Sequence, residues 1–137
     1  MIVVDTNVIA YLLIPGENTS DAEELLKKDP FWISTLLWRS EFRNVLLQYM
    51  RHKYIDFSMA VQIMTMAEQL MRGKEYEINS TQVLDIALKS NCSAYDCEFV
   101  SLAKETGTRL ITTDKKVLNQ FPDIVSSIQQ YLLEIKD

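Results

Sequence analysis

Short apolar runs and longer stretches of helical period take turns along the chain. Ile2-Val3-Val4 is an uninterrupted apolar run that stops at Asp5, the pattern of a buried strand. Asp5-Thr6-Asn7 supplies capping side chains, and Val8 to Ile14 predicts a helix stopped by Pro15-Gly16. Asn18 to Lys28 predicts an amphipathic helix carrying Ala22, Leu25 and Leu26, and Phe31-Trp32-Ile33-Ser34 a second strand. From Leu36 to Lys53 the period is strongly helical, with Trp38, Phe42, Val45, Leu46 and Tyr49 on one face. Ser58 to Arg72 predicts a helix apolar nearly all round, ended by Gly73; it is either sandwiched in the core or offers a methionine-rich contact surface. Glu75 to Asn79 reads as a short extended piece, Ser80 to Lys89 as a helix, and Ser93 to Thr106 as another, closed by Gly107. Arg109 to Thr113 is a strand that ends at Asp114. After it come a short helix (Lys115 to Gln120), a turn at Pro122-Asp123, a small strand at Ile124-Val125 and a last helix with Ile128, Leu132 and Ile135. Strands separated by helices predict an α/β domain with a parallel sheet.

The chain has 137 residues, enough for one domain over 1–137 that buries about 68% of its unfolded surface. No apolar run approaches the ~20 residues of a membrane span. The opening Met1 to Asp5 has no basic segment before its apolar run, so no signal peptide is expected. Cys92 and Cys97 do not make a disulfide framework, which suits a reducing cytoplasm.

Absences narrow the chemistry. Gly16, Gly73 and Gly107 are the only glycines and are too far apart for a phosphate-cradling or dinucleotide-binding loop. His52 is the only histidine, in the charged run Arg51-His52-Lys53, and reads as a solvated residue at a helix end. A structural zinc site has too few ligands, a nuclease with two histidines is excluded by count, and no G-x-S-x-G elbow is present. Chemistry, if present, rests on carboxylates.

Four acids stand out. Asp5 and Asp114 each follow a strand, and ligands of open parallel sheets bind outside the carboxyl ends of the strands. Glu41 lies three residues after Trp38 and four before Val45, and Asp96 three before Phe99 and four before Val100, so both share apolar helix faces. Structural explanations exist for each. Asp5 and Asp114 also read as N-caps, Ser93-Ala94-Tyr95-Asp96 resembles a capping box, and Glu41 has Arg39 and Arg43 to pair with. If the four converge, two carboxylates ~5 Å apart repel by roughly 3 kcal/mol at an effective dielectric near 20. Three or four then need compensation, and oxygen ligands without histidine or thiolate favour Mg2+ or Mn2+, whose shell is completed by substrate phosphate.

These residues carry a family resemblance. Val4-Asp5-Thr6-Asn7, Ser40-Glu41, Tyr95-Asp96 and Leu110-Ile111-Thr112-Thr113-Asp114, in this order, resemble the PIN-domain ribonucleases, and within them the VapC-type toxins of toxin–antitoxin pairs. The resemblance implies a three-layer α/β fold, a twisted, mostly parallel sheet of about five strands between helices. It implies that Asp5, Glu41, Asp96 and Asp114 are the catalytic, metal-holding acids, with Thr6, Asn7 and Thr112 orienting ligands or water. It also implies RNA hydrolysis leaving a 5′-phosphate and a 3′-hydroxyl, a VapB-type antitoxin partner and a homodimer. Some members carry another acid after the last aspartate; Lys115, Lys116 and Val117 stand there instead, which leaves a second metal open. Alternatives are a PIN-fold nuclease for RNA processing or DNA without a toxin role, and a catalytically silent interaction module.

The net charge of -5 and pI of 4.9 run against a phosphate-rich substrate. Setting the four acids aside leaves 15 acidic against 14 basic residues, a nearly neutral remainder. Arg39, Arg43, Arg51, Lys53, Lys115 and Lys116 are the cations available to hold a backbone locally; they read equally as solvated helix faces.

Overall fold

The computed structural model describes residues 1–134. The chain order is β1 (Ile2–Val4), α1 (Thr6–Leu13), α2 (Thr19–Lys28), β2 (Trp32–Thr35), α3 (Leu37–Arg51), α4 (Phe57–Met71) and β3 (Glu75–Tyr76). It continues with α5 (Ser80–Leu88), α6 (Ala94–Thr106), β4 (Leu110–Ile111), α7 (Lys115–Gln120), β5 (Val125–Ser126) and α8 (Ile128–Leu133). Side-chain caps fix most helix starts. Asp5 accepts from Val8 N at 3.2 Å, Asp56 from Met59 N at 2.8 Å, and Asn79 from Gln82 N at 3.0 Å. Gly107 ends α6 with φ +65°, a left-handed conformation that glycine adopts without strain.

The five strands form one all-parallel sheet in the order β3-β2-β1-β4-β5. Period-two alternation along the strands splits the core in two. Ile2, Val4, Trp32 and Ile111 face α1, α2, α3, α4 and α8, whereas Val3, Ile33, Leu110 and Val125 face α5, α6 and α7. Helices on both faces explain why the strands read as solid apolar runs instead of alternating ones. The buried Ser34 hydroxyl donates to Val4 O at 2.8 Å, satisfying the last carbonyl of the central strand beneath Asp5.

Several boundaries differ from the sequence expectation. The helix after β1 starts at Thr6, because Asp5 is its cap, and α4 starts at Phe57 because Asp56 caps it. The extended piece at 75–79 is paired only over Glu75–Tyr76, and β4 and β5 are two residues each. The expected apolar position Ile135 lies outside the described residues. Helix α4 resolves its two readings by facing both ways: Ala60, Ile63, Ala67 and Met71 are buried, while Phe57, Met59, Val61 and Met66 are exposed.

One polar cluster ties β3 to both neighbouring helices. Arg39 Nε and Nη2 bond Glu75 Oε2 and Oε1 at 2.6 and 2.8 Å, Arg39 Nη1 bonds Glu68 at 3.1 Å, and Trp38 Nε1 donates to Glu75 at 2.8 Å. The Glu75 side chain is only 12% exposed, so an amide in its place, with one acceptor oxygen instead of two, weakens the charge-assisted bonds and leaves at least one donor unmet. Hydrogen bonds from Arg39 hold its carboxyl below the usual range. A depressed carboxylate adds stability above its unfolded value near 4.5, which is lost as pH falls through the lower folded value. Glu75→Gln should therefore cost about 2 kcal/mol at neutral pH in denaturant melts, with the gap to wild type narrowing progressively below pH 4.5.

Candidate active site

The strand order reverses at β1, with β2 on one side and β4 on the other, and the crevice at such a switch point is where open α/β sheets hold ligands. A cleft of about 300 Å³ opens there, lined by Asp5, Thr6, Asn7, Glu41, Asp96, Thr112 and Asp114. All seven residues singled out from the sequence thus share one cavity, although they come from β1–α1, α3, α6 and the turn after β4. The geometry follows from chain direction. Helices α1, α3 and α7 leave strands at their carboxyl ends, and α6 returns to the amino end of β4, so all four begin at this edge.

The acids are held differently. Asp5 Oδ1 caps α1, and its Oδ2 accepts from the Thr112 hydroxyl. That same hydroxyl oxygen accepts from Asp114 N at 3.1 Å, which commits its own proton to Asp5 and links the ends of β1 and β4. Glu41 Oε1 accepts from Thr6 Oγ1 at 2.7 Å. Arg39 is engaged with Glu75 and Glu68, so it neither neutralises Glu41 nor stands free to hold a phosphate. Asp114 Oδ1 caps α7 through Lys116 N and Val117 N at 2.9 and 3.1 Å. For Asp96 the capping box is half formed: Ser93 Oγ accepts from Asp96 N at 3.0 Å, and among the described residues no bond ties up the Asp96 carboxylate. Asn7 Nδ2 makes a long 3.5 Å contact to Thr113 Oγ1.

Burial is the main reason that Asp5 is pushed up to about 6, and the charge of Glu41 adds to it, against the bonds from Thr112 and Val8. The thiols of Cys92 and Cys97 are free, buried and raised by desolvation, hence protonated and chemically quiet.

Two polar neighbours of the site escaped the sequence reading. Asn44 lines the cleft one turn beyond Glu41 on α3, a spacing of three that puts both on one face. Glu98 is raised by desolvation and then by Glu41, which places it within electrostatic reach of that acid. Only two residues from Asp96, it carries no periodic signal.

The donor set is all oxygen, as a hard divalent cation requires. Among the described residues no three His, Cys, Asp or Glu side chains group tightly enough to cage an ion. Magnesium does not need such a cage, because it takes one or two carboxylates and keeps its waters.

The PIN domain family matches residues 2–123. This chain is a PIN-domain protein. It is 25% identical over 138 aligned positions to Ribonuclease VapC3 of Pyrobaculum aerophilum, covering 91% of this chain and 98% of that one. The fold superposes on the crystal structure of PAE2754 from the same organism with a TM-score of 0.76 at 19% identity, over 96% and 93% of the two chains. A toxin–antitoxin complex from Klebsiella pneumoniae contains a chain similar at TM-score 0.68 and 16% identity, over 93% and 98%.

The raised Asp5 gives a prediction for the PIN domain without metal. A carboxyl held above its unfolded value of 3.8 costs stability as pH climbs from 3.8 to about 6, and that cost stays constant above. In chelator, Asp5→Asn should match wild type near pH 4 and exceed it by roughly 1–3 kcal/mol at pH 7.5, read from chemical denaturation at both pH values.

Proposed function

We propose that this PIN domain is a Mg2+- or Mn2+-dependent endoribonuclease acting as the toxin of a VapBC-type toxin–antitoxin pair. The observation that carries the reading is the convergence of Asp5, Glu41, Asp96 and Asp114 on one cleft with no cationic side chain among its lining residues. Asp5 and Asp96 would hold the ion directly, Glu41 would contribute a ligand or position water, and Asp114, with one oxygen committed to α7, would act through water. When bound, such an ion supplies an acidified water and neutralises charge on phosphoryl oxygens.

The chain's own part is positioning. Thr112 fixes the rotamer of Asp5 and Thr6 that of Glu41, so each carboxylate keeps a second oxygen or lone pair directed elsewhere. Lys115 and Lys116 open α7 beside Asp114, are exposed and have no acidic partner among the described residues; they are the nearest cations for flanking phosphates. With so little positive charge, affinity for bulk RNA is weak and a defined target is favoured.

Relatives named for ribonuclease activity and for toxin–antitoxin assembly support the toxin role. The exposed Phe57, Met59, Val61 and Met66 of α4 offer an antitoxin helix, or a second copy of this chain, an apolar surface. Among the described residues no helix is long and apolar enough to cross a membrane, and two buried free thiols suit a reducing cytoplasm.

Thermal melting and RNA cleavage test this together. Manganese should raise the melting temperature of wild type markedly through preferential binding to the folded state, but hardly move Asp96→Asn. Wild type should cut RNA and leave DNA intact. Since losing a group that merely orients a ligand costs tenfold to a hundredfold, Asp96→Asn should lose at least about a hundredfold in rate. Metal binding with cleavage of DNA would redirect the reading to another PIN nuclease. No response to metal at all would leave a silent interaction module.

A further inference from the structure

Beside the acid cleft lies a second cavity of about 510 Å³, walled by α1, the loop over residues 14–19 and the middle of α3. Asn7, Asn44 and Val45 line both, so the two are compartments of one groove. Their chemistry differs sharply. The second compartment is lined by Tyr11 and Tyr49 and by the amide residues Asn18, Asn44 and Gln48. Glu17 is the only charged residue among its lining positions. A phosphate would meet no counter-charge there. A flat neutral group would find aromatic side chains to stack on and amides that both donate and accept.

We propose that this compartment is a nucleobase subsite: it receives an unpaired base of a single-stranded RNA whose adjoining phosphate lies among Asp5, Glu41, Asp96 and Asp114. The proposal rests on the ribonuclease reading and deepens it. A strand reacting at the acids must lodge its neighbouring bases within a nucleotide or so of them, and the cavity sharing three lining residues with the acid cleft is the one suited to a base. Unpaired bases are recognised by stacking on aromatic rings and by hydrogen bonds to their edges.

The aromatic surface continues outward. Tyr49 meets Tyr54 edge-on, with centroids 5.9 Å apart and planes at 72°, and Tyr54 stacks on His52 at 5.9 Å and 11°. Arg51 and Lys53 flank that histidine. The subsite therefore leads from the acid cleft toward a basic helix end, where further phosphates find the charge missing inside. Stacking combined with distant cations is how a chain of pI 4.9 can hold a single strand.

Tyr49 tests the assignment, since it is 37% exposed and its replacement leaves the core alone. The probe is a randomised, fluorophore-quenched 20-nucleotide single-stranded RNA, with manganese, cut by wild type, Tyr49→Leu and Tyr49→Phe. Leucine keeps bulk and loses the stacking plane, so KM should rise roughly five- to fiftyfold, with the effect on KM rather than kcat. Phenylalanine keeps the plane and should stay near wild type. Manganese-induced melting shifts, equal in all three, show that fold and acid site are intact. An unchanged KM in Tyr49→Leu, with wild type cutting the RNA, overturns the subsite alone and leaves the compartment to a protein segment. Failure of Tyr49→Phe to rescue a defective Tyr49→Leu overturns the stacking subsite equally, because only the hydroxyl separates phenylalanine from tyrosine and the ring plane would then not be what matters. A wild type that binds manganese but cuts no RNA overturns the ribonuclease reading, and the subsite with it.

Discussion

Everything at the acid cleft depends on three residues of central strand. Ile2 and Val4 anchor one helical layer and Val3 the other, so β1 is clamped from both faces and cannot slip by one position without turning all three side chains the wrong way. Asp5 is the first residue to leave that clamp. Its carboxyl is consequently delivered at a fixed height above the sheet, where Thr112, arriving on the adjacent strand end, meets it. The parallel direction of all five strands then brings the starts of α1, α3, α6 and α7 to the same edge, and with them the other three acids.

Gathering carboxylates costs electrostatic energy, and the fold offsets part of it with uncharged parts. The positive ends of helix dipoles point at this edge, Asp5 and Asp114 accept backbone N–H groups at the starts of α1 and α7, and two threonine hydroxyls donate to Asp5 and Glu41. None of these devices adds a full positive charge. What remains is a cleft that is held in shape, lined by four acids and no cationic side chain, in which Asp5 is raised mainly by its burial and further by the charge of Glu41. The caps that could have made Asp5 and Asp114 purely structural are real, and they are also what fixes the two carboxyls at the cleft.

Much of this was legible in the sequence because the determinants are local. Ile2-Val3-Val4 and Leu110-Ile111 announce themselves as solid apolar runs, and acids directly after strands or on apolar helix faces are conspicuous for the cost of burying charge. For Asp96 the sequence supports a capping box and a place in the site alike, and only its backbone N–H takes part in the cap. What was hidden depends on distance along the chain. Arg39 sits two positions from Glu41, on a different side of the helix, and its true partners Glu68 and Glu75 are about thirty residues later. The Tyr11–Tyr49 compartment is built from separate helices and a loop, none of which carries a recognisable pattern alone. Two-residue strands such as β3 and β5 are too short for periodicity to mark their limits.

The brevity of those outer strands limits how the molecule associates with others. Both margins of the sheet offer only a couple of backbone donors and acceptors, at Glu75–Tyr76 and Val125–Ser126, far too little to template the addition of an extended segment from another polypeptide. Main-chain pairing is indifferent to sequence, whereas side-chain surfaces are not. Any stable companion of this fold has to be chosen through the shape and chemistry of helix faces and grooves, which makes fidelity of pairing a property of residues that can diverge quickly while the sheet stays the same.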